Sequence, residues 1–169
     1  MKAFVTGSTG LLGSNLVNLL LAQGHEVKAL VRSEAKARKF LTDPRIEIIQ
    51  GDMEKVDGFA AELQGCDVLF HTAAYFREYY GPGDHWATLE KINVHGTIRL
   101  LELAEKAVVK KVIYVSSSGV IGRKPDGSPA DETTAPDQLA ERENLYFKSK
   151  VAAEQAVANF LKTHHLPVV

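Results

Sequence analysis

Hydrophobic and polar positions along the chain follow two repeats, one typical of buried strands and one typical of amphipathic helices. Short apolar runs predict strands at 2–6, 26–31, 46–49, 67–71 and 111–116. Between them, helices are predicted at 11–23, where apolar residues are four positions apart, and at 34–42 (short and polar), 54–64 (weak), 85–107 and 145–163. In the first helix, Leu12, Leu16 and Leu20 have the spacing of a buried face. The closing residues 166–169 predict the start of a sixth strand.

The alternation of strands and helices with short connections is typical of a parallel sheet covered on both faces. Right-handed crossovers then give a doubly wound α/β sheet with the expected strand order 3-2-1-4-5-6. The 169 residues fit one domain, 1–169. A stretch rich in turn-forming residues, 122–140, predicts a long loop, and such loops are often functional. Because the sixth strand only begins, we expect a C-terminal substrate region to be missing.

Composition narrows the classes of partner. Apolar residues make up 45% of the chain, charged residues 24%, and the net charge is −1, so we expect no nucleic-acid partner. No apolar run is long enough for a membrane span, and we expect no membrane partner. The single cysteine, Cys66, cannot form an internal disulfide and favours a reducing, cytoplasmic location. Cys66 has no neighbour at metal-ligand spacing, so we expect a core residue and no metal site.

A glycine-rich turn lies between the first strand and the first helix. Glycine allows a tight turn, a close approach to a pyrophosphate and close packing of helix on strand. The free N–H groups and positive end of the helix then face the phosphates. The segment therefore predicts a dinucleotide site, with these candidate residues: Thr6, Gly7, Thr9, Gly10, Leu11, Leu12 and Gly13.

The last predicted helix carries a tyrosine and a lysine four positions apart. This spacing places Tyr146 and Lys150 on one helix face. A phenol with a pKa near 10 is a poor acid or base at neutral pH, but a nearby ammonium stabilises the phenolate. Tyr146 could then exchange a proton with a carbonyl or alcohol oxygen. Since such a pair also occurs by chance on an amphipathic helix, an upstream partner is needed to support the assignment.

That partner follows the fifth strand, in the serine-rich segment 114–122. Together with the Gly-x-x-Gly-x-x-Gly turn and the Tyr-x-x-x-Lys pair, this segment resembles the extended short-chain dehydrogenase/reductase family, in its epimerase/dehydratase and dihydroflavonol-reductase-like branch. The resemblance covers essentially the whole chain and implies a Rossmann fold. Aligned on Val120 and Gly122, it makes Ser117 the catalytic serine beside Tyr146 and Lys150. Ile121 departs from the tyrosine that is frequent in the family.

The resemblance also implies cofactor contacts along the carboxyl edge of the sheet. Asp52, followed by Met53, matches a carboxylate that contacts adenine, although Asp52 could equally cap the next helix. Thr72, Ala73 and Ala74 are small residues against which a ribose or nicotinamide can lie. Asn93 matches a family asparagine and could instead support a neighbouring loop. Lys150 would hold the nicotinamide ribose next to Tyr146.

Arg32 bears on the choice of cofactor. It follows the second strand, where an NAD enzyme usually carries an acid for the ribose 2′-hydroxyl. A guanidinium suits a 2′-phosphate through paired hydrogen bonds. Arg32 therefore favours NADP over NAD, unless it is an ordinary surface charge.

Three functions remain open from the sequence. The first is an NADPH-dependent reductase of a ketone or aldehyde, which Arg32 favours. The second is a nucleotide-sugar epimerase or dehydratase with transient hydride transfer, and the third is a non-enzymatic NADP-binding redox sensor. Such sensors typically lose the tyrosine or the lysine, whereas this chain keeps both. A small-molecule substrate is the expected partner, with a homodimer as an open alternative to a monomer.

Overall fold

The computed structural model describes residues 1–76, 83–136 and 144–169. In these residues five parallel strands form one sheet in the order β3-β2-β1-β4-β5. The strands are β1 (Lys2–Thr6), β2 (Glu26–Val31), β3 (Ile46–Gln50), β4 (Val68–His71) and β5 (Lys111–Tyr114). The predicted doubly wound Rossmann sheet is confirmed.

The end of the chain pairs with the outer edge of β5. Val168 forms a parallel bridge with Val112. Around this bridge, Val112 N donates to Pro167 O at 2.8 Å, and Val169 N donates to Val112 O at 2.9 Å. The residues expected to begin a sixth strand therefore lie where the order 3-2-1-4-5-6 places that strand.

Helices cover both faces of the sheet. They are α1 (Leu11–Ala22), α2 (Glu34–Ala37), α3 (Trp86–Leu89), α4 (Gly96–Lys106) and α5 (Leu145–Phe160). The predicted helix 85–107 is present, but a π-helical turn, Glu90–His95, joins α3 to α4. The predicted helix 54–64 is instead a pair of 3-10 segments over Met53–Leu63, with Lys55 non-helical between them.

Helix α2 is shorter than the predicted span 34–42. It ends at Ala37, and Leu41 N donates back to Ala37 O at 2.8 Å as the chain leaves the helix. Leu41 is completely buried beside β2 and β3, so burial of this side chain outweighs the continuation of a mostly polar helix.

The hydrophobic core has two parts, one on each side of the sheet. Ala3 and Val5 belong to the part that α1 covers, whereas Phe4 belongs to the part under α4 and α5. This alternation follows from the two-residue period of a strand. Cys66 is buried in the second part, as expected for a core residue.

The buried face of α1 agrees with the predicted one at Leu20 and, in part, at Leu16, but not at Leu12. Val17, Leu20 and Leu21 are buried, whereas Leu12 is 53% exposed. The reason is the glycine at position 13, which lies directly against the turn after β1 and fixes the rotation of the helix. Leu12 consequently points away from the core. No helix in the three described stretches is long and apolar enough to cross a bilayer.

Candidate active site

The turn after β1 and the helix start behind it require glycine at positions 7 and 13. Gly7 has a φ of +68°, and a Cβ there would lie 2.7 Å from Ala73 N and 2.8 Å from Thr72 Oγ1. A Cβ on Gly13 would collide with the carbonyl oxygen of Gly7. Gly10 N closes the turn by donating to Gly7 O at 2.9 Å. The backbone therefore passes within contact distance of both the start of α1 and the end of β4.

The first turn of α1 fits an anionic ligand. Gly10 is the N-cap and provides no side-chain hydrogen bond, so the first N–H groups of the helix are left for a ligand at the positive end of the helix dipole. Leu11 is 85% exposed beside them, and Thr9 is exposed at the tip of the turn. A glycine turn at the positive end of a helix is an arrangement that can hold the pyrophosphate of a dinucleotide.

A chain of hydrogen bonds joins the ends of β1 and β4 to α4. Ala73 N donates to Thr6 Oγ1 at 3.2 Å, and Thr6 Oγ1 lies 2.8 Å from His71 Nδ1. On the other side of the ring, His71 Nε2 lies 2.9 Å from Thr97 Oγ1. Thr97 donates its own proton to Asn93 O at 2.8 Å. This direction makes Nε2 the protonated ring nitrogen and Nδ1 the acceptor from Thr6.

His71 is held neutral. Its side chain is buried, and burial, together with the nearby charge of Lys150, lowers its pKa to about 3. The ring stacks on Tyr114 with 5.6 Å between centroids. His71 is therefore a structural residue that fixes the platform formed by Thr72, Ala73 and the exposed Ala74.

Asn93 supports two neighbouring segments. Its Oδ1 accepts from Tyr75 N, and its Nδ2 donates to Tyr75 O and, at 3.0 Å, to Ser149 Oγ. Ser149 Oγ in turn donates to Tyr146 O at 2.7 Å. Since Asn93 is only 3% exposed, its direct role is to hold the segment after β4 against α5. The alternative of a supporting asparagine agrees with this geometry.

The three residues assigned to the adenosine end of the cofactor differ in exposure and in hydrogen bonding. Arg32 is exposed directly after β2. Asp52 Oδ1 accepts from Glu54 N at 3.0 Å and so caps the 3-10 segment, as one of its two interpretations required. Met53 is only 7% exposed and packs in the core, so its backbone, not its side chain, is what it can offer to a ligand.

Helix α5 places Lys150 in a buried position against the carboxyl end of β5. The lysine is 2% exposed, and its Nζ donates to Val115 O at 2.9 Å and to Tyr114 Oη at 3.2 Å. Burial lowers the pKa of Lys150 to about 8, while the Glu154 carboxylate opposes this decrease. One turn earlier, the ring of Tyr146 packs against Phe76 with 4.6 Å between centroids.

Ser117 lines a cleft next to the start of α5. Its Oγ accepts from Gly119 N at 3.3 Å and caps the short 3-10 turn Ser118–Val120. The ring of Phe147 lies so close to Gly119 that a Cβ there would collide with it, which brings the start of α5 next to the serine. The cleft has a volume of about 420 Å³ and is lined by Ser116, Ser117, Ser118, Val120, Ile121, Glu132, Thr134, Pro136 and Glu154.

Comparison with known proteins identifies the family. The model of the NAD-dependent epimerase/dehydratase family matches residues 3–169. This chain belongs to that family. The expected resemblance to extended short-chain dehydrogenases/reductases is thereby confirmed, and the family is enzymatic and NAD(P)-dependent.

This epimerase/dehydratase-family chain is similar in sequence to reductases and dehydrogenases. A putative dihydroflavonol 4-reductase of Synechocystis sp. is 38% identical over 152 residues, which cover 90% of this chain and 43% of that protein. A 3β-hydroxysteroid dehydrogenase/Δ5→4-isomerase of Mycobacterium tuberculosis is 34% identical over 160 residues, covering 92% and 42%. The chain thus spans less than half the length of these relatives.

Solved structures share the fold. The crystal structure of gox2253 has a TM-score of 0.84 and 37% identity, covering 98% of this chain and 49% of that one. The UDP-glucuronic acid 4-epimerase of Bacillus cereus, solved with UDP-glucuronic acid and NAD, has a TM-score of 0.83 and 26% identity. That match covers 100% of this chain and 55% of the epimerase.

Three residues near the site of this family member were missed by sequence reasoning. Tyr114 and Ser149 were read only as parts of a strand and a helix, yet they contact Lys150 and Asn93. Glu154 lines the cleft, and its position four residues after Lys150 could have revealed it. In the aromatic-rich segment 75–86, which the sequence offers as a candidate substrate contact, residues 77–82 lie outside the described residues, as does the last part of the loop 122–140.

Proposed function

We propose that this chain is the cofactor-binding part of an NADPH-dependent reductase of a ketone or aldehyde. The observation that carries the proposal is the buried Lys150, which shares a helix face with Tyr146. Its ammonium is fixed by two acceptors at the end of the fifth strand. Two of the named relatives are a reductase and a hydroxysteroid dehydrogenase, which supports carbonyl–alcohol chemistry on a ring-bearing substrate.

The residues divide the work among themselves. The glycine turn and the start of α1 bind the pyrophosphate, and Lys150 holds the nicotinamide ribose. Ser117 donates a hydrogen bond to the substrate oxygen as negative charge develops there. Tyr146 gives its phenolic proton to that oxygen, and the Lys150 ammonium stabilises the phenolate that remains. The bound cofactor supplies the hydride for the carbonyl carbon.

The preference for NADPH rests on Arg32. It is exposed at the end of β2, the position at which an acid would accept from a ribose 2′-hydroxyl. Its planar guanidinium can instead form paired hydrogen bonds with a 2′-phosphate. Asp52 is the proposed contact for adenine in addition to its capping role.

A second candidate is a nucleotide-sugar epimerase or dehydratase. The similarity to the Bacillus cereus epimerase supports it, since the same serine, tyrosine and lysine could oxidise a sugar hydroxyl and return the hydride. The redox-sensor alternative is weaker because Tyr146 and Lys150 are both present and Lys150 is held in position.

The two enzymatic functions predict different stoichiometries. We expect the full-length protein to oxidise NADPH in proportion to a ring-bearing ketone or aldehyde, monitored by absorbance of the reduced nicotinamide. Tyr146→Phe is the control for background oxidation. Conversion of UDP-sugars without net consumption of NADPH, together with no turnover of any ketone or aldehyde tested, would instead establish the epimerase or dehydratase.

A further inference from the structure

Lys150 is held by two acceptors, one a backbone carbonyl and the other a side-chain hydroxyl. Its Nζ donates to Val115 O at 2.9 Å and to the Tyr114 hydroxyl at 3.2 Å, and it also lies 4.7 Å from the centre of the Tyr114 ring. An ammonium has three donors arranged tetrahedrally. With two of them directed at Tyr114, the last residue of β5, and at Val115 directly after it, the direction of the third is fixed.

The packing of Tyr114 does not require its hydroxyl. The ring stacks on His71, a contact that a phenylalanine would also make. Burying a phenolic oxygen is unfavourable unless it is hydrogen-bonded, and here its bond is to the lysine. Burial raises the pKa of Tyr114, so its phenol stays neutral and accepts from the ammonium instead of competing as a phenolate.

Charged and titratable groups face Lys150 from three elements. On α5 itself, Tyr146 lies one turn before it and Glu154 one turn after it. From β5 it faces Tyr114, and from β4 the neutral His71. Of these, Glu154 favours the charged lysine, whereas burial opposes it. The Tyr114 hydroxyl therefore adds support to a charge that its surroundings stabilise only in part.

We propose that Tyr114 is a positioning residue: its hydroxyl holds the Lys150 ammonium in place and in its charged form, so that the remaining N–H is directed at the cofactor ribose. This inference rests on the proposed function, which assigns the ribose contact to Lys150. It gives Tyr114 and Tyr146 opposite duties, because one phenol keeps the lysine charged and the other uses that charge during proton transfer.

The charge of Lys150 can be measured without turnover. In protein labelled with ¹³C-lysine, an NMR titration should show one lysine with a midpoint near pH 8, and Lys150→Met identifies it by its loss. Tyr114→Phe should lower that midpoint by about one pH unit, a tenfold lower ratio of charged to neutral lysine. Tyr75→Phe is the matched control, since the Tyr75 hydroxyl pairs with His85 and should leave the midpoint unchanged.

NADPH titrations provide the second readout. Tyr114→Phe should bind NADPH about as wild type does at pH 6 and about eightfold more weakly at pH 8.5, where a smaller fraction of its Lys150 is charged. Tyr114→Leu, which also removes the ring, should shift the midpoint at least as far. An unchanged lysine midpoint in both variants overturns the role of Tyr114. Wild-type NADPH affinity in Lys150→Met instead overturns the ribose assignment, while the NMR midpoint still decides the role of Tyr114.

Discussion

Asn93 holds the backbone of Tyr75 from both sides. Its Oδ1 accepts from Tyr75 N at 2.8 Å, and its Nδ2 donates to Tyr75 O at 3.2 Å. The same amide nitrogen donates to Ser149 Oγ on α5. One buried side chain thus connects the segment after β4 to the helix that carries Tyr146 and Lys150.

Asn93→Asp tests this connection. A carboxylate can still accept from Tyr75 N but cannot donate to Tyr75 O or Ser149, and its charge is buried. We expect the free energy of unfolding to fall by about 1–3 kcal/mol in urea titrations. Asn159→Asp is the matched control, because Asn159 is exposed on α5 and should change stability by less than about 0.5 kcal/mol. Equal stability of the two variants would contradict the role of Asn93.

Tyr146→Phe removes the proposed transferable proton and keeps the ring that packs on Phe76. Turnover of the full-length protein should fall by about a hundredfold or more, with little change in cofactor affinity. Lys150→Ala should reduce both turnover and affinity, because the lysine has two roles. Steady-state kinetics and fluorescence titration with NADPH separate the two effects. Near-normal turnover of Tyr146→Phe would show that another group supplies the proton.

Arg32→Asp tests the choice of cofactor. Loss of a charge-assisted hydrogen bond to the 2′-phosphate costs about 1.5–3 kcal/mol, which weakens NADPH binding about ten- to a hundredfold. NADH affinity should stay the same or improve. Arg45→Asp makes the same charge change just before β3, at the amino-terminal ends of the strands and so away from Arg32. It should leave the ratio of the two affinities unaltered. Equal wild-type affinities for NADPH and NADH would rule out the assignment.

His71 makes the stability of the protein depend on pH. Its folded-state pKa is lowered to about 3, whereas an unfolded histidine titrates near 6.5, so the unfolded state binds the extra proton between these values. The contribution of His71 is complete above pH 6.5 and is lost as pH falls. Between pH 7 and pH 5 it should amount to about 2 kcal/mol. Unfolding of wild type and His71→Gln at both pH values measures it, and identical pH dependences would refute it.

The sheet was predictable because its strands are short apolar runs separated by turn-forming residues. The glycine turn was equally predictable, since Gly7 and Gly13 occupy positions at which any Cβ would collide. The exposure of Leu12 was not, because the rotation of α1 is set by that close approach and not by the leucine repeat.

The partners of helix α5 were also beyond sequence reasoning. The spacing of Tyr146 and Lys150 placed them on one face, but it contained no information about which strand residue would meet the ammonium. Tyr114 is 36 positions away from Lys150, and their contact exists only because β5 and α5 pack together. The π-helical turn Glu90–His95, which carries Asn93, has no signal in a pattern of helical period.

Val115 has one further consequence. Its N–H donates to His71 O at the end of β4, and its carbonyl accepts from Lys150. A single backbone position therefore links Lys150 directly to β4, the strand that leads into the small-residue platform. For protein engineering, this means that the backbone at position 115 has to be preserved when other parts of the site are exchanged, because it ties Lys150 to the sheet.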